Sequence, residues 1–210
     1  MRMKNIGPLV IVLALAAAPC AFASPVTYAT WNNPSGSTVT GTIGTVGVTY
    51  TGEIDFVSHF NYFLPLSTYT SSTVSNAPTT GGMIAITGNG TTTNTFTFSQ
   101  PVSGLILSEV SLGGSTNTSY TFNNNFSILS CGAGAFYGGG CIHESGGNTM
   151  FAQEGDGTIE FAGALSSLSF TTANGEYWNG FTIGLLPQSE SPVPEPGTLV
   201  LFGTGILGLA

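Results

Sequence analysis

Apolar and polar residues alternate in short runs along most of this chain, and clusters of Gly, Asn and Ser separate the runs. In "NTFTFS", Phe96 and Phe98 fall on one side of an extended chain and the intervening threonines fall on the other. About ten such runs, rich in Thr, Val, Ile, Phe and Tyr, indicate a sandwich or a barrel of β-strands. We expect a single all-β domain over residues 24–186, a β-sandwich of the jelly-roll kind with few and short helices.

Two local patterns indicate how neighbouring strands connect. The stretch "TMFAQEGDGTIEFAG" is typical of a hairpin, in which Phe151 precedes a turn at residues 155–157 and Ile159 follows it. The segment 71–82, "SSTVSNAPTTGG", lacks an apolar pattern and is predicted to be a connecting loop.

The first residues have the order of a secretory signal peptide. Arg2 and Lys4 precede the apolar residues 9–18, and a group of small residues ends at Ala23. About ten apolar residues are too few to cross roughly 30 Å of hydrocarbon, so a membrane-spanning helix is the weaker interpretation. We predict a signal peptide over residues 1–23 and export of the remaining chain.

Cleavage at that point removes every basic side chain. Arg2 and Lys4 are the two basic residues of the sequence, whereas all ten acidic residues lie further along the chain. Affinity for nucleic acid and for anionic lipid depends on Lys and Arg, so neither is expected as a partner. Cations and neutral polar ligands such as sugars remain.

Two cysteines, Cys131 and Cys141, follow the signal peptide, and Cys20 is removed with it. In an exported chain such a pair favours a disulfide. A zinc site is the alternative, but two thiols without further Cys or paired His residues fall short of a zinc ligand set.

Three carboxylates in "QEGDGTIE" lie close together in the sequence at the predicted turn: Glu154, Asp156 and Glu160. Carboxylate oxygens are ligands for calcium, and extracellular calcium sites work at millimolar concentrations, so calcium is the candidate cofactor. The alternative is a Gly-Asp turn in which the carboxylate bonds its own backbone.

Aromatic residues in glycine-rich surroundings are the candidate sugar contacts. Phe136 and Tyr137 lie in "CGAGAFYGGGC", where a displayed ring could stack on a sugar while the glycines admit its approach. The alternative is that one ring closes an end of the sandwich. Of Tyr177 and Trp178, which would point to opposite faces of a strand, we take Trp178 as a further candidate.

Motifs of catalysis are incomplete in this sequence. His143-Glu144 begins like the zinc-protease pattern H-E-x-x-H, but Gly147 stands at the second histidine. The chain has no G-x-S-x-G element, and no Lys follows the signal peptide to serve a phosphate-binding loop. We therefore expect a protein that is not an enzyme.

The C-terminal region changes character after the last apolar run. Residues 187–197, "PQSESPVPEPG", form a polar, proline-stiffened linker, and residues 198–210 carry no charge. The sequence "VPEPGTLVLFGTGILGLA" closely resembles the PEP-CTERM sorting signal of exported bacterial proteins, with Pro194, Glu195 and Pro196 as its motif. Residues 198–210 match the membrane helix of that signal, whose Arg-rich tail we expect beyond Ala210.

The resemblance implies how the protein is sorted. In that family the signal is processed by exosortase, a membrane enzyme, after transient anchoring of the helix in the membrane. It implies export to the cell surface or extracellular matrix of a Gram-negative-type bacterium, in company with exopolysaccharide. Residues 94–185 also resemble an uncharacterised β-sandwich module of exported PEP-CTERM proteins.

These observations predict a sorted, exported β-sandwich of the surface or biofilm matrix that contacts exopolysaccharide. The alternatives are a structural surface protein without a specific ligand and a hydrolase acting on polysaccharide.

Overall fold

Two antiparallel sheets make up the part of the chain that the computed structural model describes, residues 23–90 and 92–187. The predicted signal peptide up to residue 22, the predicted linker from residue 188, the Pro194-Glu195-Pro196 motif and the predicted sorting helix over residues 198–210 lie outside these ranges. Within the described ranges, no helix has the length and apolar character needed to cross a membrane.

The strands of the described ranges, in chain order, are β1 (Thr27–Tyr28), β2 (Thr30–Trp31), β3 (Thr38–Ile43), β4 (Val46–Thr51), β5 (Phe56–Ser58), β6 (Met83–Ile86), β7 (Asn94–Val102), β8 (Leu105–Leu112), β9 (Thr118–Phe122), β10 (Phe126–Gly132), β11 (Gly140–Cys141), β12 (His143–Ser145), β13 (Thr149–Ala152), β14 (Gly155–Phe161), β15 (Leu165–Ala173) and β16 (Asn179–Leu185). One short helix, α1 (Leu66–Tyr69), lies between β5 and β6.

Each sheet draws its strands from both halves of the chain. The first sheet has the order β10-β14-β8-β16-β6-β5, with β1 paired to β16 and β11 paired in parallel to β14. The second sheet has the order β12-β13-β9-β15-β7-β4-β3-β2. The all-β prediction with two stacked antiparallel sheets is confirmed.

The second sheet shows the alternation that the sequence predicts. Along β7, Phe96 and Phe98 are buried, while Thr97 is exposed. The buried face packs against the first sheet through aromatic rings such as Tyr120 and Phe170, whose centroids lie 4.6 Å apart. Aromatic pairs of this kind contribute about 0.5–1.5 kcal/mol beyond the area that they bury, so ring packing is a principal source of cohesion between the sheets.

The first sheet is covered on both faces, which the sequence pattern did not indicate. Every residue of β8 is buried, because residues 59–82 and α1 pack on the outer face while the second sheet packs on the inner one. Val74 and Ala77 of the predicted connecting loop are buried against this outer face. The loop therefore serves as a third layer, although it contains no strand.

The hairpin predicted around residue 155 is wrong. β13 pairs in the second sheet, whereas β14 pairs in the first, so the two strands do not face each other. Residues 155–157 lie inside β14, and the chain changes sheets at Gln153 and Glu154, where Glu154 has a left-handed φ of 56°. Alternation of apolar and polar residues predicts one strand on each side of a break. It is the same whether the second strand folds back beside the first or crosses to the other sheet.

A disulfide joins Cys131 of β10 to Cys141 of β11, with a Cα–Cα distance of 4.8 Å. Both cysteines lie beside β14, because Cys131 pairs with Gly157 and Cys141 with Asp156. The disulfide closes the segment that carries Phe136 and Tyr137 and holds its two ends on one edge of the first sheet.

Replacing both cysteines, Cys131→Ser with Cys141→Ser, should lower the free energy of unfolding by about 2–3 kcal/mol. The reason is that a cross-link over a sequence separation of 10 removes chain entropy from the unfolded state. Urea unfolding followed by fluorescence measures the change, and mass spectrometry of the non-reduced exported protein should show the loss of two hydrogens. Two free thiols there, or an unchanged urea midpoint, would contradict this account.

Candidate functional site

Six aromatic rings form a continuous group where three connections of the first sheet meet. We call this group the aromatic platform; its members are Phe56, Phe60, Tyr62, Phe136, Tyr137 and Trp178. Ring centroids lie 4.9 Å apart between Phe60 and Tyr62, 5.4 Å between Phe60 and Phe136, and 5.0 Å between Tyr137 and Trp178. Phe60, Phe136 and Tyr137 are 55%, 48% and 50% exposed. The platform is thus packed internally and open to solvent.

The platform brings together all three rings that the sequence singled out. Phe136 and Tyr137 do not close an end of the sandwich, since both are about half exposed. Trp178 and Tyr177 lie in the connection before β16, so the strand geometry assumed for them does not apply, and Tyr177 is 90% exposed. Phe60 and Tyr62 were missed, although their spacing in "HFNYF" is a signal that could have found them.

Backbone hydrogen bonds hold the segment that carries Phe136 and Tyr137. Ala135 N donates to Leu64 O over 2.7 Å, which ties the segment to the chain before α1. Gly138 has a φ of 86°, and a Cβ at this position would overlap Asp156 Oδ2. Glycine is therefore required at this position, because the backbone passes directly over the Asp156 carboxyl group.

A cleft of about 340 Å³ adjoins the platform. Its wall combines aromatic rings, two acidic side chains and small polar residues: Tyr137, Tyr177 and Trp178; Glu154 and Glu176; Ser111, Gly114, Ser115, Thr116 and Gly175. This combination of apolar surface with a few polar groups is typical of a ligand site.

Unusual backbone geometry is concentrated at this cleft. In the described part of the chain, three residues other than glycine have a left-handed φ: Ser111 at 59°, Glu154 at 56° and Asn174 at 57°. The first two line the cleft, and Asn174 precedes Gly175, which lines it as well. Asn adopts this conformation readily, whereas for Ser111 and Glu154 it costs of order 1–3 kcal/mol and is found preferentially at functional sites. The geometry singles out the cleft independently of its composition.

The two acidic side chains of the cleft are each fixed by hydrogen bonds. Ser111 Oγ donates to Glu154 Oε2 over 2.8 Å. Glu176 Oε1 accepts hydrogen bonds from Gly113 N and, over 2.8 Å, from Asn179 Nδ2. Both carboxyl groups therefore hold defined positions before any ligand arrives.

Two further carboxyl groups lie behind the cleft and are fully buried. Glu109 of β8 falls on the same side of the strand as Leu105 and Leu107, so it faces the core between the sheets. Its oxygens make no hydrogen bond of ordinary geometry among the described residues, although the Tyr120 hydroxyl lies close enough to lower its pKa slightly. Asp156 Oδ1 accepts hydrogen bonds from Tyr69 Oη over 2.9 Å and from Ser111 N over 3.2 Å.

These carboxyl groups have raised pKa values because they are buried in a part of the chain that contains no Lys or Arg. Burial raises the pKa of Asp156 to about 7 and that of Glu176 to about 7. Burial raises the pKa of Glu109 well above its usual range, and the charges of Glu176 and Asp156 raise it further. Near neutral pH the fold therefore retains protons that the unfolded chain releases.

The predicted calcium ligands are not assembled into one group. Glu154 and Asp156 both contact Ser111, but Glu160 lies further along β14 and lines a separate depression of about 460 Å³ with Asn125 and Phe126. Four residues of extended strand span roughly 13 Å, whereas the prediction placed all three carboxylates at one turn. Within residues 23–90 and 92–187, no three His, Cys, Asp or Glu residues are arranged to hold a metal ion.

Comparison with known protein families identifies the sorting signal of this chain. Residues 192–210 match the PEP-CTERM protein-sorting motif. This match supports the conclusion that the protein is secreted and is sorted by exosortase, a membrane enzyme. It also supports transient membrane anchoring on the way to the cell surface. No curated protein and no solved structure matches the chain.

Raised pKa values lead to a prediction about stability and pH. In the unfolded chain these carboxyl groups lose their protons near pH 4, whereas in the fold Asp156 and Glu176 keep theirs to about pH 7. The fold binds more protons across that interval, so the free energy of unfolding should fall as the pH rises through it and be fully restored below it. Urea unfolding at pH 5, 6, 7 and 8 measures this trend.

The variant Glu109→Gln should lose less stability between pH 5 and pH 8 than the wild type, because its amide does not titrate. Glu144→Gln, which removes an exposed acid from β12, is the matched control and should follow the wild type. Stability that rises from pH 5 to pH 8 would contradict the assignment of protonated carboxyl groups to the folded state.

Proposed function

We propose that this protein binds a polysaccharide of the cell surface or biofilm matrix of a Gram-negative-type bacterium through the aromatic platform and the adjoining cleft. One observation carries the proposal: six contacting rings, three of them about half exposed, border a polar cleft whose backbone is locally strained. Large exposed apolar groups rimmed by polar residues mark interaction sites.

Sugar rings fit this surface for a physical reason. The C–H face of a sugar is apolar and packs on an aromatic face, while its hydroxyl groups need hydrogen-bond partners at the edge. Tyr137 and Trp178 supply rings at the cleft, and Ser115 and Thr116 supply hydroxyl groups in its wall. A polymer has further units to place on Phe60 and Phe136, which extend the platform beyond the cleft.

Electrostatics restricts the class of polysaccharide. Residues 23–187 carry acidic side chains and no Lys or Arg, so a polyanionic chain would be repelled and would find no cationic side chain to pair with. Neutral or cationic polysaccharides are the ligands that this surface accommodates.

The variants Tyr137→Ala and Trp178→Ala should each weaken binding to the exopolysaccharide of the host bacterium by tenfold or more, because each removes a large ring from the contact. Affinity electrophoresis with the purified polysaccharide measures the loss. Ile128→Ala is the matched control, since Ile128 is an exposed apolar residue on β10 outside the platform. Equal binding by the wild type and the three variants would show that the platform is not a specific binding site. It would favour the alternative of a structural surface protein without a specific ligand.

A hydrolase acting on the same polysaccharide is the second candidate. It is favoured by the presence of two carboxyl groups, Glu154 and Glu176, in a cleft lined by aromatic rings, since glycosidases use a pair of carboxyl groups. In our proposal the cleft binds without cleaving. Prolonged incubation with the polysaccharide should release no new reducing ends, and release that is lost in Glu176→Gln would establish the hydrolase instead.

The sorting motif leads to a prediction about processing. In a host that has exosortase, the full-length protein with Glu195→Ala should accumulate as an uncut membrane form, because the change removes the acidic residue of the Pro-Glu-Pro motif in the matched sorting signal. Glu190→Ala is the control, since it removes an acid from the same linker outside the motif. Cell fractionation with immunoblotting measures both. If the protein with Glu195→Ala is processed normally, the motif is not a processing signal and the interpretation as a stiff linker remains.

A further inference from the structure

A concentration of carboxyl groups without a cationic partner is the property of the cleft that the proposed function leaves unused. Glu154 and Glu176 line the cleft, and Glu109 and Asp156 lie behind it. The two acidic residues that are buried in the described part of the chain are thus both at this place. Elsewhere the core consists of apolar and aromatic side chains with a few neutral polar groups.

The buried carboxyl groups are incompletely paired. Both oxygens of Glu109 and Oδ2 of Asp156 lack a hydrogen-bond partner among the described residues. An unpaired buried polar atom lowers the stability of a fold, and a Leu or Met in place of Glu109 would avoid that loss. These groups lie beside the strained backbone of the cleft, and strain of this kind clusters at functional sites.

We propose that the cleft selects sugar units that carry a free amino group, with the ammonium bound by Glu154 and Glu176 and the sugar ring packed on Tyr137 and Trp178. This inference rests on the proposed function and names its substrate class, a polysaccharide that contains unacetylated hexosamine. An ammonium group has three donors and no acceptor, so it complements a wall of carboxyl oxygens. Charge-assisted hydrogen bonds of this kind are about twice as strong as neutral ones.

The raised pKa of Glu176 is consistent with such a ligand. Burial holds this pKa at about 7, and a cation beside the carboxyl group favours its ionised form, so binding would lower the pKa. Aromatic faces at the same cleft add a cation–π attraction, which neutral sugars do not receive.

A metal ion and a lysine-rich peptide are the other cationic ligands to compare. Calcium requires 6–8 oxygen ligands around one point, and the described carboxyl groups are not grouped in that way. A lysine side chain presents an ammonium but no ring that would pack on Tyr137 and Trp178. The aromatic platform therefore favours the amino sugar over the peptide.

Isothermal titration calorimetry with two tetrasaccharides tests the inference. One probe is a tetramer of glucosamine, and the other is its fully N-acetylated counterpart, which has the same rings without the charge. The purified exported protein should bind the glucosamine tetramer at least tenfold more tightly. Glu154→Gln and Glu176→Gln should each remove about tenfold of affinity for it while leaving the N-acetylated tetramer almost unchanged.

Glu160→Gln is the matched control and should bind both tetramers like the wild type, since Glu160 lines a different depression. Glutamine keeps the shape of the side chain, and its amide oxygen can still accept the Ser111 hydroxyl, so Glu154→Gln should remain folded. Circular dichroism and thermal unfolding of each variant verify this before binding is compared.

The outcomes separate this inference from the proposed function. Equal affinity for the two tetramers, weakened in both cases by Tyr137→Ala, would keep the polysaccharide site and overturn amine selection. Absence of binding to either tetramer and to the host exopolysaccharide would overturn both. Oligolysine that binds as tightly as the glucosamine tetramer, with no effect of Tyr137→Ala, would assign the cleft to cationic peptides and overturn the inference as well.

Discussion

The absence of Lys and Arg from residues 23–187 is the constraint on which the rest of the structure depends. Each carboxyl group must be exposed, bonded to neutral donors or protonated, because no cationic side chain can balance it. Glu53 illustrates the second solution, since its Oε1 accepts a hydrogen bond from Thr87 N over 3.0 Å. Cohesion then comes from ring packing and from neutral hydrogen bonds such as that of Tyr50 Oη with Asn94 Oδ1 at 2.8 Å.

The cleft adjoins buried carboxyl groups that hydrogen bonds from neutral donors do not fully satisfy. At the end of β8 the pattern that buries Leu105 and Leu107 continues into Glu109, and the chain changes sheets near it through the left-handed Glu154. The disulfide and Gly138 bring the segment with Tyr137 over the neighbouring Asp156. Strained backbone, the two buried carboxyl groups and exposed rings therefore lie close together, near the place where the chain crosses between the sheets.

The sequence predicted the features that depend on local alternation and on charge. It predicted the buried face of β7 and the all-β class, and it named Tyr137 and Trp178 as candidate sugar contacts, which stays a prediction. It could not predict that β14 leaves β13 for the other sheet, because the side-chain period of 2 is the same for a hairpin and for a crossover. The same error led to the predicted set of calcium ligands, because that set required a turn at residues 155–157. Glu109 had a readable signal, an acid in an inward position of the apolar run "LILSEVSL".

Burial of Glu109 is more informative than an exposed acid would be. An exposed carboxylate costs nothing to keep, whereas Glu109 lowers the stability of the fold at neutral pH and makes no hydrogen bond within the described residues that would offset the loss. Sites where local rules are broken without a structural gain are expected to be functional. Burial raises the pKa of Glu109 and the neighbouring Glu176 raises it further, so the fold favours the protonated form of Glu109 and a ligand meets the carboxyl groups of the cleft wall instead. The cleft thus combines an open aromatic platform with carboxyl groups whose ionisation depends on burial, and the proposed selection of amino sugars rests on these two features.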